Sequence, residues 1–427
     1  MKKLSHLYIF LWLICPFLTK AQGTWTSYST QLPAKEYWGH KFKLSASIKT
    51  DIVDDSASAR IWARVDIAQG KSAFFYNMDD RPVRNKEWKT YTIEGVIDSN
   101  TTKIAFGTLT YFNGLFYYDD IKLAIETDKN TWKTVYTNDF QQEKLDLKQG
   151  IQLEIPKGRS FQDFGLNKLF TTNLEKSGSQ QYLKIEGNNI INFGDNTKVG
   201  KYAEVNGVKL YYEIYGSGQP LVILQGTASS MERMSLYYAE LMKKYQVIAV
   251  DNRGIGKSTD TNEPFTYETM ASDINQLLEQ LHIDSALVWG CQDGSVGLHL
   301  AKDYPKKVKK LLTFGLSIQH DSAAFDQSVI VNYEKLMKET RNPKVKKIAE
   351  LESRRDYPNI PFSELSSIKI PVLVIGANKG TVVKEHTLKI SRSLPMGQFC
   401  YLPGTPGEIL FKKSDLFLRI MKDFFEE

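Results

Sequence analysis

Cysteine is scarce in this chain, with three in 427 residues. Cys15 falls in an apolar leader, and Cys291 and Cys400 fall on strands that are not neighbours, so no disulfide is expected and a disulfide-stapled fold is excluded. A chain of this size can bury enough surface to do without one. Histidine is scarce as well. His40, His282, His299, His320 and His386 are dispersed beyond the leader, and no His/Cys pair has the spacing of zinc ligands, so no metal and no cofactor is expected. Past the leader no apolar run approaches the roughly 20 residues that cross a bilayer, so the mature chain is expected to carry no transmembrane segment. Charge of one sign is also lacking. The formal charge is +6, and Lys2, Lys3 and Lys20 account for half of it, too little to argue for nucleic acid.

What is present is a globular balance, 42% hydrophobic and 24% charged, with material for two cores. Lys2 and Lys3, an apolar stretch from Leu7 to Leu18 and Thr19-Lys20-Ala21 before Gln22 read as a secretory signal over residues 1–21, cleaved near Ala21/Gln22. Ile14 stands where a lipoprotein needs a small residue before Cys15. Export to a bacterial periplasm or medium is the expectation.

From Trp25 to about Ile125 apolar and polar residues alternate, as in Phe42, Leu44, Ala46 and Ile48 set among Lys41, Lys43, Ser45, Ser47 and Lys49. Period two predicts strands. Ile61, Ala63, Val65 and Ile67 repeat the pattern, and further runs fall at 91–97, 103–110 and 117–125, which predicts a β-sandwich over 22–125. Tyr117-Tyr118-Asp119-Asp120-Ile121-Lys122-Leu123 resembles the last strand of galactose-binding-like jelly rolls, the fold of many carbohydrate-binding modules. Under that resemblance Trp38, Trp62 and Trp88 are sugar-stacking candidates; without it they are core and rim aromatics. Residues 126–201 read as a β-rich connector or a reduced second β-module.

After Val205 short apolar strands alternate with helical stretches, the pattern of a doubly wound α/β domain over 202–427. Strands are predicted at 221–224, 246–250, 286–289, 310–314, 372–375 and 399–402, and helices at 231–244, 267–281, 295–303 and 412–425. Asn206-Gly207-Val208-Lys209-Leu210-Tyr211-Tyr212, Leu221-Val222-Ile223-Leu224-Gln225-Gly226 and Asp251-Asn252-Arg253-Gly254-Ile255-Gly256-Lys257-Ser258 resemble the α/β-hydrolase family. The resemblance makes Arg253 and Ser258 braces of the fold. A phosphate loop is excluded, because no Gly-x-x-x-x-Gly-Lys-Ser/Thr spacing occurs.

In that family the nucleophile sits at the centre of Gly-x-Ser-x-Gly, on a sharp strand-to-helix turn. Here the motif reads Gly290-Cys291-Gln292-Asp293-Gly294, and a glutamine amide cannot attack a carbonyl. It suits ligand contact or pocket filling equally. The matched acid position is Gly380, in Gly376-Ala377-Asn378-Lys379-Gly380, and the nearest acid is Glu385. The histidine loop reads Pro403-Gly404-Thr405-Pro406-Gly407-Glu408, which puts Gly407 where the base belongs, and no histidine follows His386. Gln225 replaces the histidine of the family's His-Gly pair, before Gly226. Losing nucleophile or base costs roughly 10⁶ in rate, so the triad is expected to be degenerate and Gln225, Gly226, Gln292 and Asp293 are pocket candidates.

Cys291 with His320 and Asp321 is a conceivable relocated set, although a residue beside the turn's apex generally points away from the pocket and a buried cysteine is commonly a small hydrophobe. The leading expectation is a secreted non-catalytic α/β-hydrolase homologue that binds a small molecule or glycan under a short cap at 317–367. The alternatives are an active esterase or peptidase-like hydrolase with a relocated catalytic set, and an extracellular interaction scaffold.

Overall fold

The computed structural model describes residues 24–67, 72–128, 130–141, 169–226, 229–291, 294–354 and 356–427. The leader and its cleavage position lie outside the described residues. The chain divides into two compact units, Gln22–Asn192 and Phe193–Glu427.

The first unit is all-β. One sheet orders β1 (Trp25–Thr26), β7 (Thr101–Tyr111), β4 (Ser58–Ile67) and β5 (Ser72–Tyr76), with β2 (Ser29–Pro33) also on β7. The other orders β10 (Phe170–Ser177), β11 (Gln180–Gly187), β8 (Gly114–Asp128), β3 (Lys41–Ile52) and β6 (Lys89–Val96), with β9 (Thr131–Asn138) on β8. Every described pairing is antiparallel. The alternation in β3 does what period two demands: Phe42, Leu44, Ala46 and Ile48 enter a core shared with Ile61, Ala63, Val65 and Phe106 of the other sheet, while Lys43, Ser45 and Ser47 between them face the other way. β9, β10 and β11 come from the stretch read as a connector or second module, and they pair into the same sheet as β3 and β8.

Of the three tryptophans, Trp62 is core: its Nε1 donates to Ser27 Oγ at 3.0 Å and to the Thr108 carbonyl at 3.1 Å. Trp38 and Trp88 are exposed, and Trp88 meets Tyr117 and Tyr182 edge-on.

The second unit is an eight-stranded sheet in the order β12 (Lys201–Val205), β13 (Val208–Tyr215), β15 (Tyr245–Val250), β14 (Gln219–Leu224), β16 (Ala286–Gly290), β17 (Val308–Phe314), β18 (Val372–Ala377), β19 (Gly397–Leu402). β12 and β13 form a hairpin through Asn206-Gly207, both at positive φ, the two-residue turn whose twist suits paired strands. β13 runs antiparallel to β15, and from β15 to β19 all neighbours are parallel. The parallel strands from β14 to β18 are largely buried on both faces, as helix-covered sheets require, and the edge strand β19 is mostly half-buried.

The helices are α1 (Ser235–Leu241), α2 (Tyr267–Gln280), α3 (Ser295–Asp303), α4 (Gln327–Glu339), α5 (Pro343–Ser353), α6 (Lys384–Ser393) and α7 (Ser414–Glu426). Thr266 caps α2 by accepting from the Thr269 N–H at 3.1 Å. α4 and α5, with a 3₁₀ turn at Phe362–Ser367, form the insertion between β17 and β18 where a cap was predicted. Among the described residues no helix is long and apolar enough to cross a membrane.

Candidate functional site

In a parallel sheet the carboxyl ends of the strands deliver residues to a common edge, and here β14, β16, β17, β18 and β19 deliver the predicted site loops. β16 ends at Gly290, the Cys291 N–H donates to the Leu224 carbonyl at 2.9 Å, and α3 starts after Gly294 at φ 65°. Both glycines are needed. A Cβ on Gly294 would lie 2.8 Å from Thr313 Cβ, and one on Gly290 would lie 3.0 Å from Gly294 Cα. Gln292 and Asp293, between these anchors, lie outside the described residues.

Gln225 follows β14. Its Nε2 donates to Tyr238 Oη at 2.8 Å, and that hydroxyl donates to the Met231 carbonyl at 2.9 Å. Gln225 Oε1 is buried with no hydrogen-bond partner among the described residues. The Gly226 carbonyl accepts from Ser229 N–H at 2.8 Å, closing a tight turn.

The loops after β18 and β19 are tied together: Gly404 N–H donates to Asn378 Oδ1 at 2.7 Å and Lys379 N–H to the Gly404 carbonyl at 3.1 Å. That places Gly380 and Gly407 in neighbouring loops. Neither has a positive φ. Gly407 is helical, at φ −65° and ψ −35°, and a Cβ there meets nothing within 4 Å. Gly407→Ala is therefore expected to leave stability unchanged or raise it by up to about 1 kcal/mol, because only unfolded-state entropy is lost; thermal melting checks this, and a drop of several degrees would show a constraint at Gly407. Thr405 and Glu408 form a reciprocal capping box, with Glu408 N–H donating to Thr405 Oγ1 at 3.2 Å and Thr405 N–H to Glu408 Oε2 at 2.9 Å. The Thr405 N–H holds Glu408 below the usual carboxylate range. Glu385 opens α6 and is exposed.

His386 lies within α6 and is buried. Its Nε2 accepts from the Ile318 N–H at 3.3 Å, and burial pushes its pKa down to about 4 against the opposing pull of Asp321. His320 follows β17. It stacks on Phe325 at 4.8 Å, its Nδ1 lies 3.1 Å from the Arg354 carbonyl, and burial lowers its pKa below the ordinary histidine value. A carbonyl only accepts, so Nδ1 carries the proton and Nε2 is the basic nitrogen.

The imagined Cys291–His320–Asp321 set is not joined by any described bond. Asp321 Oδ1 accepts from Ala323 and Ala324 N–H, both at 3.0 Å, closing its own turn. Cys291 is buried, 2% exposed. The partner that orients His320 is instead a backbone carbonyl from the far end of the cap, which no side-chain motif could have announced.

The third motif is structural. Arg253 Nε and Nη2 donate to the two oxygens of Asp273 at 2.7 and 2.6 Å, and Ser258 Oγ bridges the Asp251 carbonyl and the Tyr211 N–H at 2.6 and 2.8 Å. Asp251 accepts from Met231 and Lys257 N–H; burial pushes its pKa up to about 6.

A family model described as the alpha/beta hydrolase fold matches residues 219–347, from β14 into α5. The second unit has an α/β-hydrolase fold. A soluble epoxide hydrolase from a Corynebacterium strain is 32% identical over 139 residues, 31% of this chain and 48% of that protein. A cis-3-alkyl-4-alkyloxetan-2-one decarboxylase from Shewanella oneidensis is 29% identical over 127 residues, 27% of this chain and 38% of that protein. The chain thus spans about half, or less, of the length of these curated relatives. Among solved structures, an enol-lactonase from Burkholderia xenovorans aligns with a TM-score of 0.47 and 19% identity, covering 53% of this chain and 100% of that one.

These relatives correct the expectation of a non-catalytic homologue. The proteins that share sequence with the α/β-hydrolase unit are named for reactions they catalyse, which favours the alternative of an active hydrolase with its catalytic set elsewhere. The expectation rested on the missing side chains of the motif positions alone.

Proposed function

We propose that the α/β-hydrolase unit is a working hydrolase of ester- or amide-type substrates whose catalytic set has moved off the motif positions. In this reading Gln292, Gly380 and Gly407 occupy the nucleophile, acid and histidine positions, Gln225, Gly226, Gln292 and Asp293 line the pocket, and His320 is the general base. The supporting observation is the neutral imidazole of His320, with its tautomer set by the Arg354 carbonyl and its charged form disfavoured by burial. Water attacks the acyl carbon as Nε2 takes its proton; the C–O or C–N bond breaks, and the same proton passes to the departing alcohol or amine. No protein nucleophile is required.

The galactose-binding-like reading of the first unit belongs to the same proposal, with Trp88 beside Tyr117 and Tyr182 as its aromatic contact. Export rests on the leader sequence, and cell fractionation tests it.

The catalytic test is a panel of ester and amide substrates on the mature protein. Turnover is expected, with no stoichiometric labelling by a serine-directed probe, and Gln292→Ala is expected to keep kcat within about threefold, since in this reading the Gln292 amide lines the pocket but takes no part in the proton transfer. Stoichiometric serine labelling, or no turnover of any substrate, overturns the reading.

A further inference from the structure

The return segment of the cap carries Arg354 and, from Asp356 toward the 3₁₀ turn at Phe362, is held against α2 by a cluster that the proposed reaction does not use. Tyr357 stacks face to face on Tyr267 at 5.3 Å and 11°. Its hydroxyl accepts from the Tyr267 N–H at 2.6 Å and donates to Glu268 Oε2. Tyr267 in turn stacks on His299 of α3 at 6.2 Å and 21°. His299 is 2% exposed, and both its ring nitrogens are buried without a hydrogen-bond partner among the described residues. A polar ring buried in that state is costly to keep.

Two carboxylates stand just out of hydrogen-bonding reach of it. Glu268 Oε1 is 3.8 Å from Nε2 and Asp303 Oδ2 is 3.6 Å from Nδ1. Lys302 pairs with Asp303 at 3.0 Å, reaches Glu364 of the 3₁₀ turn at 3.9 Å and opposes protonation of the ring. Glu268 is therefore shared: one oxygen holds Tyr357, and the other faces a histidine that can claim it only when charged.

We propose that His299 and Glu268 form an acid-released latch on the cap, in which protonation of His299 draws Glu268 away from Tyr357 and frees the return segment from α2. The sign follows from burial. His299 is harder to protonate in the folded packing than in open chain, so the closed packing is favoured above the ordinary histidine pKa of about 6.5 and loses that advantage as pH falls toward the lowered folded value. The open arrangement lets the imidazolium approach Glu268 and Asp303 within bonding distance. Because the carbonyl that orients His320 belongs to Arg354 on the same segment, the latch would also set the geometry of that nitrogen. The latch itself does not depend on the hydrolase reading, and its test needs no substrate.

The experiment is amide hydrogen exchange of the whole protein at pH 7.5 and pH 5.0, each corrected for intrinsic chemical rates and read over residues 356–367. In the natural chain the corrected exchange should rise severalfold at pH 5.0, as protonation of His299 weakens the closed packing. Glu268→Gln keeps an acceptor for Tyr357 but removes the carboxylate that the imidazolium would claim, and half-exposed Glu268 tolerates the change; its rise should shrink to about twofold or less. His299→Gln should abolish the rise, and Tyr357→Phe should give fast exchange at both pH values. A flat response in the natural chain, or an undiminished one in both His299→Gln and Glu268→Gln, overturns the latch.

Discussion

His320→Gln is expected to lower kcat by roughly 10² to 10⁴, the usual worth of a general base, with KM little changed. Glutamine fills much of the same space, and its amide can still donate to the Arg354 carbonyl, so the local fold has reason to persist. What it cannot do is accept a proton from water. The pH profile of the natural chain supplies the second arm. A base must be neutral to act, and burial lowers the His320 pKa, so the rate should stay on its plateau through the ordinary histidine value of about 6.5 and fall only below it. Steady-state kinetics on any substrate that the panel turns over give both readings. A His320→Gln variant with kcat within twofold of the natural chain would remove His320 from the mechanism.

Arg253→Ala should be strongly destabilising, costing about 3 to 5 kcal/mol and lowering the melting temperature of the second unit by roughly 6 to 20 °C. The pair it breaks is almost wholly out of water, with side-chain exposures of 4% for Arg253 and 1% for Asp273. Burial lifts Asp273 above the usual carboxylate range despite the bidentate contact with Arg253. Desolvation thus outweighs attraction, and the intact pair need contribute little net stability. Removing one member is different, because it strands the other charge in the interior. Pairing Arg253→Met with Asp273→Leu should recover most of the loss, since the double change leaves no buried charge behind. Circular-dichroism melts of the single and double variants measure this, and a double variant as unstable as Arg253→Ala would show that packing, not charge, is what the site supplies.

Much was readable from the sequence alone, because the relevant physics is local. Alternation at Phe42, Leu44, Ala46 and Ile48 specifies a strand with one buried face, and those four residues do line the core. The short apolar runs from Leu221 onward separated by helical stretches specify a parallel sheet. The elbow glycines were legible for the same reason: Gly290 and Gly294 stand where a side chain would strike the neighbouring backbone or Thr313. The assignment of Arg253 and Ser258 to bracing also holds in the structure.

Tertiary structure decided what depends on residues far apart in the chain. Whether Trp62 could meet a ligand turned on Ser27 and Thr108 closing over its indole. The membership of β10 and β11 in the first unit turned on β11 pairing with β8 across more than fifty residues of chain, with β10 joined through β11. The role open to His320 turned on the Arg354 carbonyl, 34 residues away, and the buried state of His299 on Tyr267, Glu268 and Asp303. A backbone carbonyl has no side-chain identity to read and burial is a property of the packed whole, so periodicity and motif spacing carry no trace of either.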